Sequence, residues 1–207
     1  MQINAKVIDL YHGDAVISFD AAYAAGIRGV IHKATQGNTI TDKTYAARRE
    51  QALDAGMLWG AYHYIGPSDM EAQAARFIDL AQPTDATLVA VDHEDRSVPL
   101  AKLVAFIEAV KAEIGRYPVV YSGFLIKEQV AKATTLQRAV LAQCELWLSQ
   151  YGSAPRWPGL WKAPFLWQFT GDGEGPSPHT VDGMGKVVDI SSFAGSDTEL
   201  ADQWVAA

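Results

Sequence analysis

The segment "TLVAVDHED" at residues 87–95 runs from an apolar stretch straight into Asp92, His93, Glu94 and Asp95. On a strand, the two-residue spacing sends Asp92 and Glu94 to one face, roughly 6–7 Å apart along the backbone. Carboxylates paired in a cleft of low dielectric repel each other and lose hydration, so at least one holds its proton toward neutral pH. A protonated carboxyl beside an ionised one is the equipment of general acid catalysis. His93 and Asp95 point the other way and are expected to tie the strand end to its neighbours. The plain alternative is a strand capped by four solvated charges. Against it, "VIDLYH" at 7–12 and "VVDISSF" at 187–193 repeat the placement with Asp9 and Asp189.

A carboxylate among apolar neighbours must be hydrogen-bonded, paired or protonated. If the strands carrying Asp9 and Asp189 are adjacent in a closed ring, these acids meet across the mouth from Asp92 and Glu94. Otherwise each anchors loop amides. Tyr11, Tyr62, Tyr64, Tyr121, Trp147, Tyr151, Trp167 and Phe169 fall at or near strand ends. Rings beside carboxylates suit a sugar, whose apolar face stacks while its hydroxyls bond to acids, although rings also fill cores. In "WGAYHYI" at 59–65, alternation sets Tyr62 and Tyr64 against His63, and only one set can face inward.

Eight apolar runs supply the strands that would position these groups: 6–12, 29–35, 59–65, 87–94, 118–123, 146–152, 164–170 and 187–193. Several are apolar on both faces, which favours parallel strands covered on both sides. Helical segments alternate with the early runs. One covers about 42–55 and stops at Gly56; another follows a Ser68/Glu71 capping-box spacing; a third covers about 99–114, with Pro99 in its first turn and Gly115 beyond its end. Segment 124–143 is helical in composition with a break near Thr134 and Thr135. Residues 153–163 and 171–186 are rich in Gly and Pro and offer no covering helix. The expected fold is therefore α/β: a single β/α barrel of eight strands with an incomplete outer ring of about five helices, the last three strands joined by loops. An open doubly wound sheet is the alternative, without the glycine-rich fingerprint of a dinucleotide site. The whole of 1–207 reads as one domain, with 199–207 as a short terminal tail and no appended binding module.

The net charge of −7, with Lys and Arg scattered, argues against nucleic acid, which needs a concentrated positive face. The single cysteine, Cys144, sits in an apolar helical context and cannot form an internal disulfide. No stretch is long enough to span a membrane, and the first residues show no basic-then-apolar signal pattern. No cofactor is expected, and the chain is expected to act as a monomer.

Seven motifs, in order, resemble the glycoside hydrolase family 25 lysozymes: "VIDLYHG" (7–13), "HKATQG" (32–37), "WGAYHY" (59–64), "VDHE" (91–94), "LWLSQYG" (146–152), "LWQF" (166–169) and "VVDISSF" (187–193). The resemblance implies a β/α barrel with a reduced helix set. It also implies hydrolysis of the β-1,4 bond from N-acetylmuramic acid to N-acetylglucosamine in peptidoglycan. Carried over by position, Glu94 matches the proton donor and Asp92 its partner, while Asp9 and Asp189 match the acids of the first and last strands. The implied chemistry is retaining: Asp92 orients the substrate acetamide, and Glu94 protonates the leaving oxygen and then activates water. Asp189 as stabiliser or nucleophile is the other option. Tyr11, Lys33, Tyr62, Tyr64, Tyr121, Gln150 and Trp167 are the candidate substrate-binding residues. The chain departs from the pattern at "YHGD" (11–14) and at Gln36, where the family often carries Glu. The absence of a signal points to a phage endolysin released by a holin, or to an effector exported by other machinery; otherwise the protein is expected in the cytoplasm.

Three rivals stand beside this reading. A metal-dependent polysaccharide hydrolase or deacetylase would use His12, His63, His93 and the acids, but no tight ligand spacing appears, so no metal site is expected. A chitinase-like barrel would need an Asp-rich fourth-strand signature, missing before Asp92. A non-catalytic glycan-binding barrel would carry the same aromatics and acids.

Overall fold

In the computed structural model, which describes residues 2–206, the eight apolar runs become eight strands, and a ninth, two-residue strand forms outside them. They are β1 (Ala5–Leu10), β2 (Gly29–Gln36), β3 (Ile40–Thr41), β4 (Leu58–Tyr64), β5 (Leu88–Asp92), β6 (Val119–Ser122), β7 (Leu146–Ser149), β8 (Leu166–Thr170) and β9 (Asp189–Ser192). Eight of them close into a barrel, because β1 pairs with β2, in parallel, on one side and with β9, antiparallel, on the other. The short β3 hangs on β2 as a hairpin extension outside the ring.

The last strand runs against the rest: β9 is antiparallel to both β8 and β1. A parallel neighbour needs a crossover that carries the chain back to the starting end. The Gly- and Pro-rich loop between β8 and β9 does not cross back: its Asp172 amide lies 3.1 Å from Asp189 Oδ1, so the chain stays at the mouth of the barrel and enters β9 from there. The consequence is chemical. Asp189 is the first residue of β9 and therefore still lies at the mouth, in register with Asp9.

The outer layer differs from the expected ring of about five helices, for seven form among the described residues. They are α1 (Phe19–Ala24), α2 (Tyr45–Asp54), α3 (Met70–Ala81), α4 (Leu100–Ile114), α5 (Phe124–Val130), α6 (Thr135–Leu141) and α7 (Asp197–Ala206). Three features raise the count. The six residues of α1 are too few to display a helical period, and Ser18 caps them by accepting from the Ala21 amide. Segment 124–143 splits because Thr134 turns extended and forms a capping box with Gln137, starting a new helix. Residues 197–206, assigned mostly to a terminal tail, form a helix with Leu200 and Trp204 buried; residue 207 lies outside the described residues. The capping box expected at Ser68 and Glu71 does not form. Asp69 caps α3 instead, accepting from the Ala72 amide at 3.1 Å and leaving Glu71 in the first turn.

Strand alternation divides the core in two. Outward residues such as Ile8, Val30, Trp59, Val91 and Trp167 pack under the helices, where Phe77 of α3 and Phe106 of α4 also lie. Inward residues Val7, Ile31, Leu88, Ala90, Val119, Trp147 and Leu166 fill the barrel. The end opposite the mouth is sealed by α7. Its Trp204 is fully buried, donates its indole N–H to the Trp59 carbonyl at 2.9 Å, and lies against Gly29 and Gly60. A Cβ added at Gly29 would come within 2.8 Å of the Trp204 ring, so glycine makes room for the indole. Asp197, at the start of α7, anchors the helix through Lys6 at 2.7 Å and Arg28 at 2.6 Å.

Trp204→Ala should therefore cost about 3–5 kcal/mol of folding stability, as for other large aromatics removed from a packed core. Exposed Val205→Ala on the same helix should stay within about 0.5 kcal/mol. Urea unfolding midpoints of the two variants check this, and equal small losses would show that α7 does not seal the barrel.

Candidate active site

Inward alternation carries polar residues once the strands approach the mouth. Val7 gives way to Asp9, Ile31 to Lys33, Gly60 to Tyr62 and Tyr64, Ala90 to Asp92, Val119 to Tyr121, and Leu166 to Gln168. These groups surround a cavity of about 200 Å³ lined by Asp9, Tyr11, Lys33, Tyr62, Tyr64, Asp92, Glu94, Tyr121, Trp147 and Asp189. All four acids singled out from the sequence therefore line one cavity. Strand β5 ends at Asp92, so Glu94 stands two residues beyond it, exposed at the rim but still lining the cavity.

Gln168 ties the far side of the site together. Its Nε2 donates to both oxygens of Asp9, at 3.0 Å each, and to Asp189 Oδ2 at 3.3 Å. Its Oε1 accepts from the Tyr121 hydroxyl at 2.8 Å and from Ser149 Oγ at 3.3 Å. Asp189 Oδ1 also accepts the Asp172 amide N–H at 3.1 Å. Asp92 is different, because its Oδ1 is buried with no hydrogen-bond partner. Lys33 is the cation lining this cavity. Its ammonium lies 5.7 Å from the ring centroids of Tyr11 and Tyr62 and 5.3 Å from that of Tyr64, and donates to Gln36 Oε1 at 3.1 Å. Because position 36 is the neutral Gln, the positive charge of Lys33 is left for the acids.

Burial is the main force on every one of these acids. It raises Asp9 well above the ordinary carboxylate value, with Asp189 adding repulsion and the Gln168 hydrogen bond opposing. Asp92 is raised well above by burial and then by Glu94, with Lys33 opposing. Glu94, exposed as a residue but partly desolvated where it lines the cavity, is raised by that desolvation and by Asp189, again opposed by Lys33. Asp189 is pushed up to about 6, chiefly by burial, against the pull of the Asp172 amide. The site is a shared reservoir of protons in which ionising one acid makes the next harder to ionise.

The histidines face elsewhere. His63 is fully buried on the outer side, stacked on Phe106 at 5.1 Å and bonded to Thr35 Oγ1 and Gln73 Oε1, which settles the alternation in favour of inward Tyr62 and Tyr64. His93 Nε2 meets Gln129 Oε1 at 2.9 Å, and the His93 carbonyl accepts from Ser122 Oγ. Asp95 caps the following turn by accepting from Ser97. His12 lies outside the cavity and pairs with buried Asp42 at 3.2 Å. Among the described residues no three His, Cys, Asp or Glu side chains converge on a position that could hold a metal ion.

Two expected substrate-binding residues are not brought to the site. Trp167 is fully buried on the outer face of β8, where its indole N–H donates to the Gln150 carbonyl at 2.7 Å and its ring meets Phe169 edge-on. Alternation in "LWQFT" turns Gln168 inward instead. Gln150 lies just past β7, and its amide is taken up by its own loop: Nε2 donates to the Ala154 carbonyl, and Oε1 accepts from Lys127 Nζ and the Arg156 amide. Conversely, Trp147, in the sequence one of eight strand-end aromatics, and Gln168, not singled out there, both belong to the site. Trp147 lines the cavity and donates to Ser191 Oγ at 2.8 Å. The sequence signal for Gln168 was a lone amide inside an otherwise apolar strand. A smaller cavity of about 120 Å³ shares Asp9, Tyr11, Tyr62 and Asp189 with the first and adds Asp14, Asp172 and Lys186, extending the polar floor along the mouth.

The profile of "Glycosyl hydrolases family 25" matches residues 8–177. The autolytic lysozyme of Clostridium acetobutylicum is 38% identical over 74 residues, a match covering 36% of this chain and 23% of that protein's length. The solved muramidase of Trichobolus zukalii superposes with a TM-score of 0.80 at 28% identity, covering 97% of this chain and 98% of that one. The bacterial lysozyme of Streptomyces coelicolor gives a TM-score of 0.82 at 24% identity, covering 96% of each chain, and shares the fold.

A carboxyl whose folded pKa lies above its unfolded value destabilises the fold once pH exceeds the unfolded value, and has no such effect below both. Asp92→Asn should therefore unfold at a higher temperature than the parent at pH 7, with the gap closing as pH falls toward about 4. Thermal unfolding across that range checks it; a variant less stable than the parent at pH 7 would mean that the ionised carboxylate is held by favourable contacts.

Proposed function

The chain belongs to glycosyl hydrolase family 25, and on that premise we infer that it is a muramidase, hydrolysing the β-1,4 bond from N-acetylmuramic acid to N-acetylglucosamine in peptidoglycan. The observation that carries this reading is the pairing at the mouth: exposed Glu94, with its pKa raised, beside Asp92, whose buried Oδ1 has no partner within the protein.

A buried acceptor without a donor is costly unless a ligand supplies one. The N–H of a 2-acetamido group is such a donor. In this reading Asp92 accepts it and turns the acetamide carbonyl oxygen toward the anomeric carbon. Glu94 gives its proton to the glycosidic oxygen as the carbon–oxygen bond breaks, and the acetamide oxygen forms the new bond to the anomeric carbon. Water then attacks that carbon from the vacated side, Glu94 takes a proton from it, the acetamide bond reopens, and configuration is retained. Asp9 and Asp189, fixed by Gln168, hold sugar hydroxyls, and Tyr62, Tyr64, Tyr121 and Trp147 wall the ring. Asp189 acts on Glu94 through its charge, keeping the proton on the donor as pH rises.

We place the site of action at the bacterial cell wall, reached after release through a holin or other export machinery, with the described barrel as the catalytic unit. Among the described residues no helix is long and apolar enough to cross a membrane.

Glu94→Gln should lower turnover of purified peptidoglycan by about 10²–10⁴-fold while circular dichroism stays that of the parent. Mass analysis of the new reducing ends should find muramic acid; glucosamine there, or near-normal rates in the variant, would overturn the assignment. In the parent, kcat/KM should fall on the alkaline side as Glu94 loses its proton. Removing the neighbouring charge with Asp189→Asn should move that limb to lower pH, read from the pH profile alone.

A further inference from the structure

A second cavity, of about 440 Å³, opens on the barrel flank beside the mouth, between α5, α6 and the loop from β7 to β8. Its lining combines Lys127, Arg138 and Arg156 with Val130, Trp157 and Pro158, and includes no acid. Three cations gathered around an apolar wall are unexpected in a chain of net charge −7. None of the three makes an ion pair among the described residues. The cavity is built rather than incidental. Lys127 donates to Gln150 Oε1, Arg138 donates to the Val130 carbonyl at 3.3 Å, and the Trp157 indole is pinned to the Trp161 carbonyl at 3.1 Å. Arg156 is exposed, and among the described residues its guanidinium makes no hydrogen bond or ion pair.

We propose that this cavity binds the carboxylates of the peptide stem borne by the muramic acid of the substrate. The proposal rests on the muramidase reading. Stem peptides combine alanine methyls with free carboxylates, the chemistry that an apolar wall studded with guanidinium and ammonium groups recognises. Position agrees with chemistry. Strand β6 delivers Tyr121 to the active site and continues into α5, which carries Lys127; β7 delivers Trp147 and continues into Gln150, which holds Lys127. A glycan lying across the mouth sends its stem off the sugar chain, and on the Tyr121–Trp147 side this flank receives it. The cavity is then a specificity site for stem-bearing glycan, separate from the acids that cleave it.

The test compares Arg156→Gln and the double variant Arg138→Gln/Arg156→Gln with the parent. The substrates are two preparations of one peptidoglycan freed of phosphate polymers, one with stems intact and one stripped by an amidase. The expected result is a rise in KM of about threefold to tenfold on stem-bearing glycan with kcat held, against unchanged kinetics on stripped chains. Titration of the intact protein with the free stem peptide reads the cavity without turnover, and binding should weaken in both variants and when the peptide carboxylates are amidated. Equal losses on both substrates, no change on either, or a loss only on walls that retain phosphate polymers would overturn the proposal. Failure of the parent to release reducing ends from both preparations would instead sink the muramidase reading, leaving the peptide titration to judge the cavity.

Discussion

Closing eight strands into a ring brings carboxylates from residues 9, 92, 94 and 189 to one opening, and like charges in a poorly hydrated mouth repel. Everything around them is arranged to contain that repulsion without abolishing it. Gln168 holds Asp9 and Asp189 by hydrogen bonds that carry no net charge. Lys33 offers one cation, set among three tyrosine rings. The tyrosines and Trp147 line the same cavity, and burial there is the first cause of the raised pKa of each acid. The remaining free energy of repulsion is relieved by protonation, and a proton held near neutral pH is what glycoside hydrolysis asks of a donor.

Such a mouth is a destabilising feature that the rest of the molecule must offset. The opposite end of the barrel is dry and filled, with Trp204 against Gly29 and Gly60 and with Val7, Ile31, Leu88 and Leu166 packed across the interior. The outer layer adds a second continuous core beneath α2, α3 and α4. The two ends thus divide the labour: one maximises apolar burial, while the other holds acids in an environment that disfavours their charge. Stability and chemistry are drawn from separate ends of the same strands.

Strand positions and the acids were legible because period-two alternation and polar interruptions of apolar runs are local signals. Asp9, Asp92 and Asp189 stand out in "VIDLYH", "VAVDHE" and "VVDIS" for that reason. The features that escaped depend on what lies across space. Trp167 and Gln168 are adjacent in the chain, and which of them faces inward is set by the register of β8 against β7 and β9, not by their own composition. Six residues of α1 and the helix at 197–206 carry too weak a period to announce themselves, and Trp204 in particular is explained only by the glycines on two distant strands. Gln150, in turn, reads as a motif residue in sequence but is occupied by Lys127 and its own loop once the chain is folded.

The choice of a neutral amide at the centre of the acids fits the role proposed for Glu94. A lysine or arginine at position 168 would neutralise Asp9 and Asp189 directly and draw their pKa values down, as a nearby cation does for any carboxylate. It would also replace part of the negative field that raises the pKa of Glu94 with a positive one. An apolar residue would fail in the other direction, leaving Asp9 without the hydrogen bond that fixes its orientation. Glutamine bonds both acids through Nε2 and accepts from Tyr121 through Oε1, so it sets position while leaving the electrostatic field to the carboxylates. The reversal of β9 completes this arrangement. A parallel last strand would carry its leading residue to the closed end of the barrel, and Asp189, from there, could neither share Gln168 with Asp9 nor raise the pKa of Glu94.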